Sequence, residues 1–167
     1  MAIRKPDLHA SSARRRAALP HGAPDRAAFD HGALGDSLGY LIHLAELANL
    51  QLFAHAFAGT RVTPARYTAL ELIGSNPGIR PADLASAMAI ERSNLVALIR
   101  FLTQCGWTRV EAGPNRREKA LHLSDTGLRT LGEMRRRLAC HDQALTGELS
   151  VAERQQLTRL LARIASI

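Results

Sequence analysis

The groups in this chain best suited to a specific chemistry are polar and cationic side chains in two places. Over residues 91–104, Leu95, Leu98, Ile99 and Leu102 recur at 3, 4 and 7 spacing, which turns them inward on a helix. The same spacing turns Arg92, Ser93, Val96, Ala97 and Arg100 outward, with Asn94 near the tip. Such a face can read a DNA duplex: arginine makes two hydrogen bonds to guanine, asparagine makes two to adenine, and valine or alanine touches a thymine methyl. The second place is the turn GPNRREK, residues 113–119, which offers Asn115, Arg116, Arg117 and Lys119. An arginine at a turn tip can enter the minor groove, where negative potential is focused.

These side chains need elements to hold them. A helix starts at Thr63-Pro64, where a threonine cap precedes proline, and ends before Gly74-Ser75-Asn76-Pro77-Gly78; Tyr67, Leu70, Leu72 and Ile73 face a core. Pro81 opens a short helix over 82–88, with Leu84, Ala85 and Met88 on one side. A turn at Ala89-Ile90 leads into the polar-faced helix, which starts at Glu91 or Ser93 and ends at Gln104. Two helices joined by a tight turn form a helix-turn-helix. Residues 107–111 and 119–123 alternate apolar and polar across the Gly-Pro-Asn turn, as a hairpin wing does.

The flanks are helical too. Residues 34–58 are apolar on almost every side, with Leu34, Leu38, Leu41, Leu44, Ala45, Ala48, Leu52 and Phe53 prominent, Asp36 or Ser37 as cap, and Gly59-Thr60 as stop. A helix apolar all round must be covered all round, so this one reads as half of a dimer interface. Ser124 caps a helix that buries Leu128, Leu131, Met134 and Leu138 and runs to about Gly147. A last helix opens on the capping box Ser150-Val-Ala-Glu153 and carries Leu157, Leu160, Leu161 and Ile164.

Composition sets the outer limits. Among 167 residues, 22 Lys and Arg face 15 Asp and Glu, a net charge of +7 that suits a polyanion. A hydrophobic content of 46% suffices for one core. The most apolar stretch, residues 38–58, is interrupted by His43, Glu46, Asn49, Gln51 and His55, so no membrane span is expected. There is no secretory leader pattern, and Cys105 and Cys140 are too few and too far apart for a disulfide framework; a cytoplasmic protein is expected. Residues 1–30 hold Arg4, Lys5, Arg14, Arg15, Arg16 and Arg26 among prolines, which reads either as a flexible solubilising tail or as a basic arm on DNA.

The motifs HExxH, CxxC, GxSxG and the phosphate-binding GxxxxGKS/T are all missing, and the seven histidines lack cysteine pairs at zinc spacing. No enzyme, metal or cofactor is expected.

The Thr63-Pro64 start, Ala82-Asp83-Leu84-Ala85, Glu91-Arg92-Ser93-Asn94-Leu95, and Arg116-Arg117-Glu118-Lys119 followed by Leu123-Ser124 and Gly127 together resemble the MarR family of bacterial transcription regulators. With its flanks the resemblance covers residues 34–166. It implies a homodimer with two DNA-binding lobes and a pocket for a small effector, often an aromatic carboxylate or phenol. Tyr40, His43, His55, Arg66 and Tyr67 are the candidates near such a pocket; the alternative is that they are interface or surface side chains. Some relatives instead sense oxidants through a cysteine, for which Cys105 and Cys140 are available. Three positions depart from the family pattern. Asn115 stands where an aspartate braces the wing, Ala97 where many members carry arginine, and Arg80 where serine often caps a helix.

The expected fold is therefore mainly α with a small β-hairpin wing. A basic arm (residues 1–30) precedes one domain (31–167), in which 63–124 form the winged helix-turn-helix and 34–62 and 125–167 dimerise. The expected function is a homodimeric repressor released from a pseudo-palindromic operator by an aromatic or phenolic acid. The alternatives are a redox-responsive regulator, a nonspecific architectural DNA-binding protein, and a protein-interaction module.

Overall fold

The computed structural model describes residues 28–113 and 118–167. Most of the basic arm, and Asn115, Arg116 and Arg117 of the turn, lie outside the described residues. The chain divides into two units: His31–Leu145, and a second to which Thr146–Ile167 belongs.

Within the first unit a 3-10 turn, Gly32–Asp36, precedes α1 (Leu38–Ala56). The α-helix thus starts later than residue 34, because Leu34 N–H and Ser37 N–H bond three residues back, to His31 and Leu34. Ser37 is the cap, accepting from Tyr40 N–H. Helix α2 (Pro64–Ser75) starts as expected, with Thr63 Oγ1 accepting from Arg66 N–H at 3.3 Å. It runs through Gly74 instead of ending before it. A Cβ there would meet the Leu123 and Leu131 side chains at 3.0 and 3.1 Å, so the glycine permits a close approach and is not a stop.

Next come α3 (Pro81–Ala87) and α4 (Arg92–Gln104), then the antiparallel hairpin of β1 (Thr108–Ala112) and β2 (Lys119–Leu123), paired from Thr108↔Leu123 to Ala112↔Lys119. Ile79 adds a bridge to Leu121. The unit ends with α5 (Asp125–Leu145), whose first turn is capped by Ser124 Oγ accepting from Gly127 N–H at 3.0 Å. In the second unit, α6 (Val151–Ala165) opens on the expected capping box of Ser150 and Glu153. Hydrogen bonds from the Ser150 hydroxyl and backbone hold the Glu153 carboxyl below its ordinary range. Leu157, Leu160, Leu161 and Ile164 of α6 are exposed.

The core is built around α2. Leu70, Ile73, Leu84, Leu95, Leu102, Leu121 and Met134 are fully buried, so every element from α2 to α5 except β1 contributes a large apolar side chain. One expected core position fails: Leu128 is exposed, and the buried stripe of α5 is Gly127, Leu131, Met134 and His141. The cause is backbone contact. Gly127 lies so close to Trp107 that a Cβ would fall 1.9 Å from its carbonyl oxygen, and that approach fixes the rotation of α5 with Leu128 outward. On α1 only Phe53 is buried, while Leu38, Leu41, Ile42 and Leu50 face outward.

Polar side chains tie α5 to its neighbours. His141, itself buried, places Nε2 3.3 Å from the Asn49 carbonyl of α1, and its ring meets Phe53 edge-on. Arg135 forks onto the Glu71 carboxylate of α2, which also accepts from the Tyr67 hydroxyl at 3.1 Å. The Arg135 fork outweighs burial and holds the Glu71 carboxyl below its ordinary value; burial first, and then the Glu71 charge, raise the Tyr67 phenol.

Two outcomes test this packing. Gly127→Ala forces backbone to move and should cost about 3 kcal/mol, the upper end of overpacking penalties, by urea unfolding; an unchanged midpoint would refute the close approach. Because the folded Glu71 value lies below the unfolded one, its contribution is complete above the ordinary glutamate range of about 4.3 and fades as pH falls through the folded value. Glu71→Gln should therefore lower stability by about 0.5 kcal/mol at neutral pH, the scale of a solvent-screened ion pair, and the gap to the native chain should narrow as pH falls below the ordinary glutamate range. A gap of constant size would exclude the ion pair as its source.

Candidate nucleic-acid interface

Helix α4 presents two unlike faces. Leu95 and Leu102 are buried, and Leu98 and Ile99 are half-buried against the core. Arg92, Ser93, Asn94, Val96, Ala97 and Arg100 are all exposed, and none of their side chains is bonded elsewhere among the described residues. Val96, at 63% exposure, is an apolar side chain that the fold leaves uncovered. The turn before α4 places Ala89 at φ 50, a left-handed conformation that fixes how α3 passes into α4.

Behind α4, Arg66 of α2 lies 3.5 Å over the Phe101 ring, whose edge contact with Trp107 has a centroid distance of 6.1 Å. This cation–ring stack ties the far side of α4 to α2. Between α4 and the hairpin runs an open groove of about 480 Å³, lined by Val96, Ile99, Arg100, Val110, Lys119 and Leu121. The expected alternation of the first strand fails here. β1 begins at Thr108, which is buried, and Val110 is exposed, because β2 supplies the core side of the hairpin through Ala120, Leu121 and Leu123.

The wing is tied down at several levels. At its root, Gly78 N–H donates to the Leu121 carbonyl at 2.9 Å, and Leu121 N–H donates to Ile79 at 3.0 Å. Near the tip, Gly113 N–H donates to the Glu118 carbonyl at 2.8 Å. Arg109 holds Glu111 at 2.6 Å, and His122 Nε2 lies 3.6 Å from the same carboxylate; the Arg109 hydrogen bond keeps that carboxyl below its ordinary range. Arg80 is the N-cap residue of α3 yet makes no capping bond. Its Nε and Nη2 fork onto Asp83 at 2.7 and 2.9 Å, and its Nη1 lies 4.0 Å from Glu118. The fork lowers the Asp83 carboxyl and raises the Arg80 guanidinium.

The five effector candidates are separately placed, and three of them have partners. Tyr40 Oη lies 3.0 Å from His31 Nδ1, Arg66 stacks on Phe101, Tyr67 donates to Glu71, and His43 and His55 are exposed on α1. Tyr40 and His55 stand about 22 Å apart along one helix axis. Cys105 is half-buried at the end of α4, and Cys140 is exposed on α5; both thiols are free. Among the described residues no group of three or more His, Cys, Asp or Glu is placed to hold a metal, and no helix is long and apolar enough to cross a membrane.

Sequence reasoning missed the acidic partners of this surface. Arg80–Asp83 is a local pair that helix spacing could have revealed. Arg80–Glu118 and Glu71–Arg135 join residues far apart in sequence and leave no local pattern.

No protein-family model matches the chain. A Thauera aromatica protein named for transcriptional regulation of the hcr operon is 32% identical over 142 residues, covering 84% of this chain and 86% of its own length. Among solved structures, the transcriptional repressor CouR bound to a 23-mer DNA duplex is 33% identical at a TM-score of 0.77, spanning 82% of this chain and 98% of its own. Apo MarR from E. coli shares the fold at 23% identity and a TM-score of 0.67, spanning 76% of this chain and 96% of its own. With its helix-turn-helix, its wing and relatives of this identity and coverage, the chain belongs to the MarR family of DNA-binding transcription regulators, which are not enzymes.

Proposed function

We propose that the chain acts as a homodimeric repressor that binds a pseudo-palindromic operator through two winged helix-turn-helix lobes. The observation that carries this reading is the outer face of α4, where Arg92, Ser93, Asn94 and Arg100 are exposed and have no side-chain partner among the described residues, while the opposite face is locked into the core. Hydrogen-bonding groups left without partners on a fixed helix suit base edges in the major groove. Val96 and Ala97 would meet thymine methyls, and Asn115, Arg116, Arg117 and Lys119 of the wing would serve the minor groove and phosphates. The DNA-bound relative CouR supports this reading.

The dimer rests on the uncovered apolar side chains of α1 and α6. Leu38, Leu41 and Ile42 on the one, and Leu157, Leu160, Leu161 and Ile164 on the other, are too many for a solvent-facing surface to leave bare. Two recognition helices must then sit about 34–36 Å apart to enter successive major grooves. An aromatic or phenolic acid that prefers another spacing would release the operator. Tyr40, His43, His55, Arg66 and Tyr67 are the candidate contacts, with Arg66 and the histidines as carboxylate partners.

A duplex selected from a random pool by the native protein provides the DNA probe. On it, Arg92→Ala and Asn94→Ala should each cost about 1–3 kcal/mol of binding and relax preference at one base position, whereas Arg116→Ala should weaken all sequences alike and reduce the salt slope by about 1. Equal weakening of selected and random duplexes by Arg92→Ala and Asn94→Ala would defeat base reading. Adding hydroxybenzoates and other aromatic acids should raise the melting temperature of the free protein and release the probe. A panel that does neither would count against the effector.

A further inference from the structure

We propose that Arg80 and Glu118 form a strap that sets the angle of the wing against the helix-turn-helix, making both positioning residues for DNA binding. The inference rests on the minor-groove role given to the wing above.

Four observations lead to it. The N-cap position of α3 is filled by arginine, which makes no capping bond; Glu91 of α4 makes none either, whereas α1, α2 and α6 start on Ser37, Thr63 and Ser150 side chains that do cap. The Arg80 guanidinium is instead fixed in plane by its two-point fork onto Asp83 in the first turn of α3. So held, its remaining Nη1 points at Glu118, with 4.0 Å to Oε1. Glu118 belongs to the wing proper, since its carbonyl closes the hairpin against Gly113 N–H.

The backbone bonds at Gly78, Ile79 and Leu121 hold only the root of the hairpin. A two-stranded ribbon tied at its root can still swing at its tip, because twist and bend accumulate along it. Glu118 lies three residues beyond Leu121 toward the tip, so a tie there removes most of that freedom. It also explains an acid beside Lys119 on a surface meant for a polyanion, where it would otherwise only repel.

That repulsion supplies the test. Glu118→Gln removes a negative charge near DNA, so simple electrostatics requires tighter binding, whereas loss of the strap requires weaker binding. In the full-length native protein, on the selected duplex, we expect Glu118→Gln to weaken binding about two- to fivefold, the range for surface ion pairs. Its thermal midpoint should be unchanged, and amide exchange over residues 113–120 should be faster. In an Arg80→Gln background the strap is already lost, and the same Glu118→Gln change should tighten binding. Binding by Glu118→Gln that equals or exceeds native, beside a weakened Arg116→Ala, would overturn the strap alone. Native-like binding by Arg116→Ala would overturn the wing role and the strap with it.

Discussion

Leu95 and Leu102 are pressed to almost complete burial in the cluster formed with Leu70, Ile73 and Leu84, and that contact sets the rotation of α4. The polar face follows from it. Because a close-packed interior tolerates few alternative arrangements, fixing two leucines fixes every residue a half-turn away. Arg92, Asn94 and Arg100 point outward because the other face of α4 has no freedom left, and the Arg66 stack on Phe101 secures the same rotation from a third side.

The charge of the chain is distributed to match. Its excess of +7 is an average over 22 Lys and Arg and 15 Asp and Glu. Asp83, Glu111 and Glu71 are each held by an arginine, and all three carboxyls are stabilised in the ionised form. Arg92, Arg100 and Lys119 have no carboxylate partner among the described residues. A surface of this kind attracts a polyanion from a distance without spending its reading groups on internal pairs.

Much of this was legible in the sequence, and the misses share a cause. Among the described residues, periodicity finds the six α-helices and the hairpin because each has a local apolar pattern, and caps such as Thr63 and Ser150 mark where helices begin. Leu128 was misplaced because backbone proximity at Gly127 decides the rotation of α5, and no side-chain pattern records that. Gly74 was misread as a stop for a related reason: glycine signals both chain reversal and close approach, and only the neighbour distinguishes them. Val110 and the Glu71–Arg135 pair depend on what lies across the fold. The reading face of α4 was legible; the ties that aim the wing were not.

Arg66 and Tyr67 are neighbours on one turn of α2, yet they serve different partners: Arg66 grips α4 through Phe101, and Tyr67 joins the Glu71–Arg135 link to α5. Both contacts thus start from a single helical turn. Two consecutive side chains, about 100° apart around the helix, thereby join α4 and α5 to the same turn of α2.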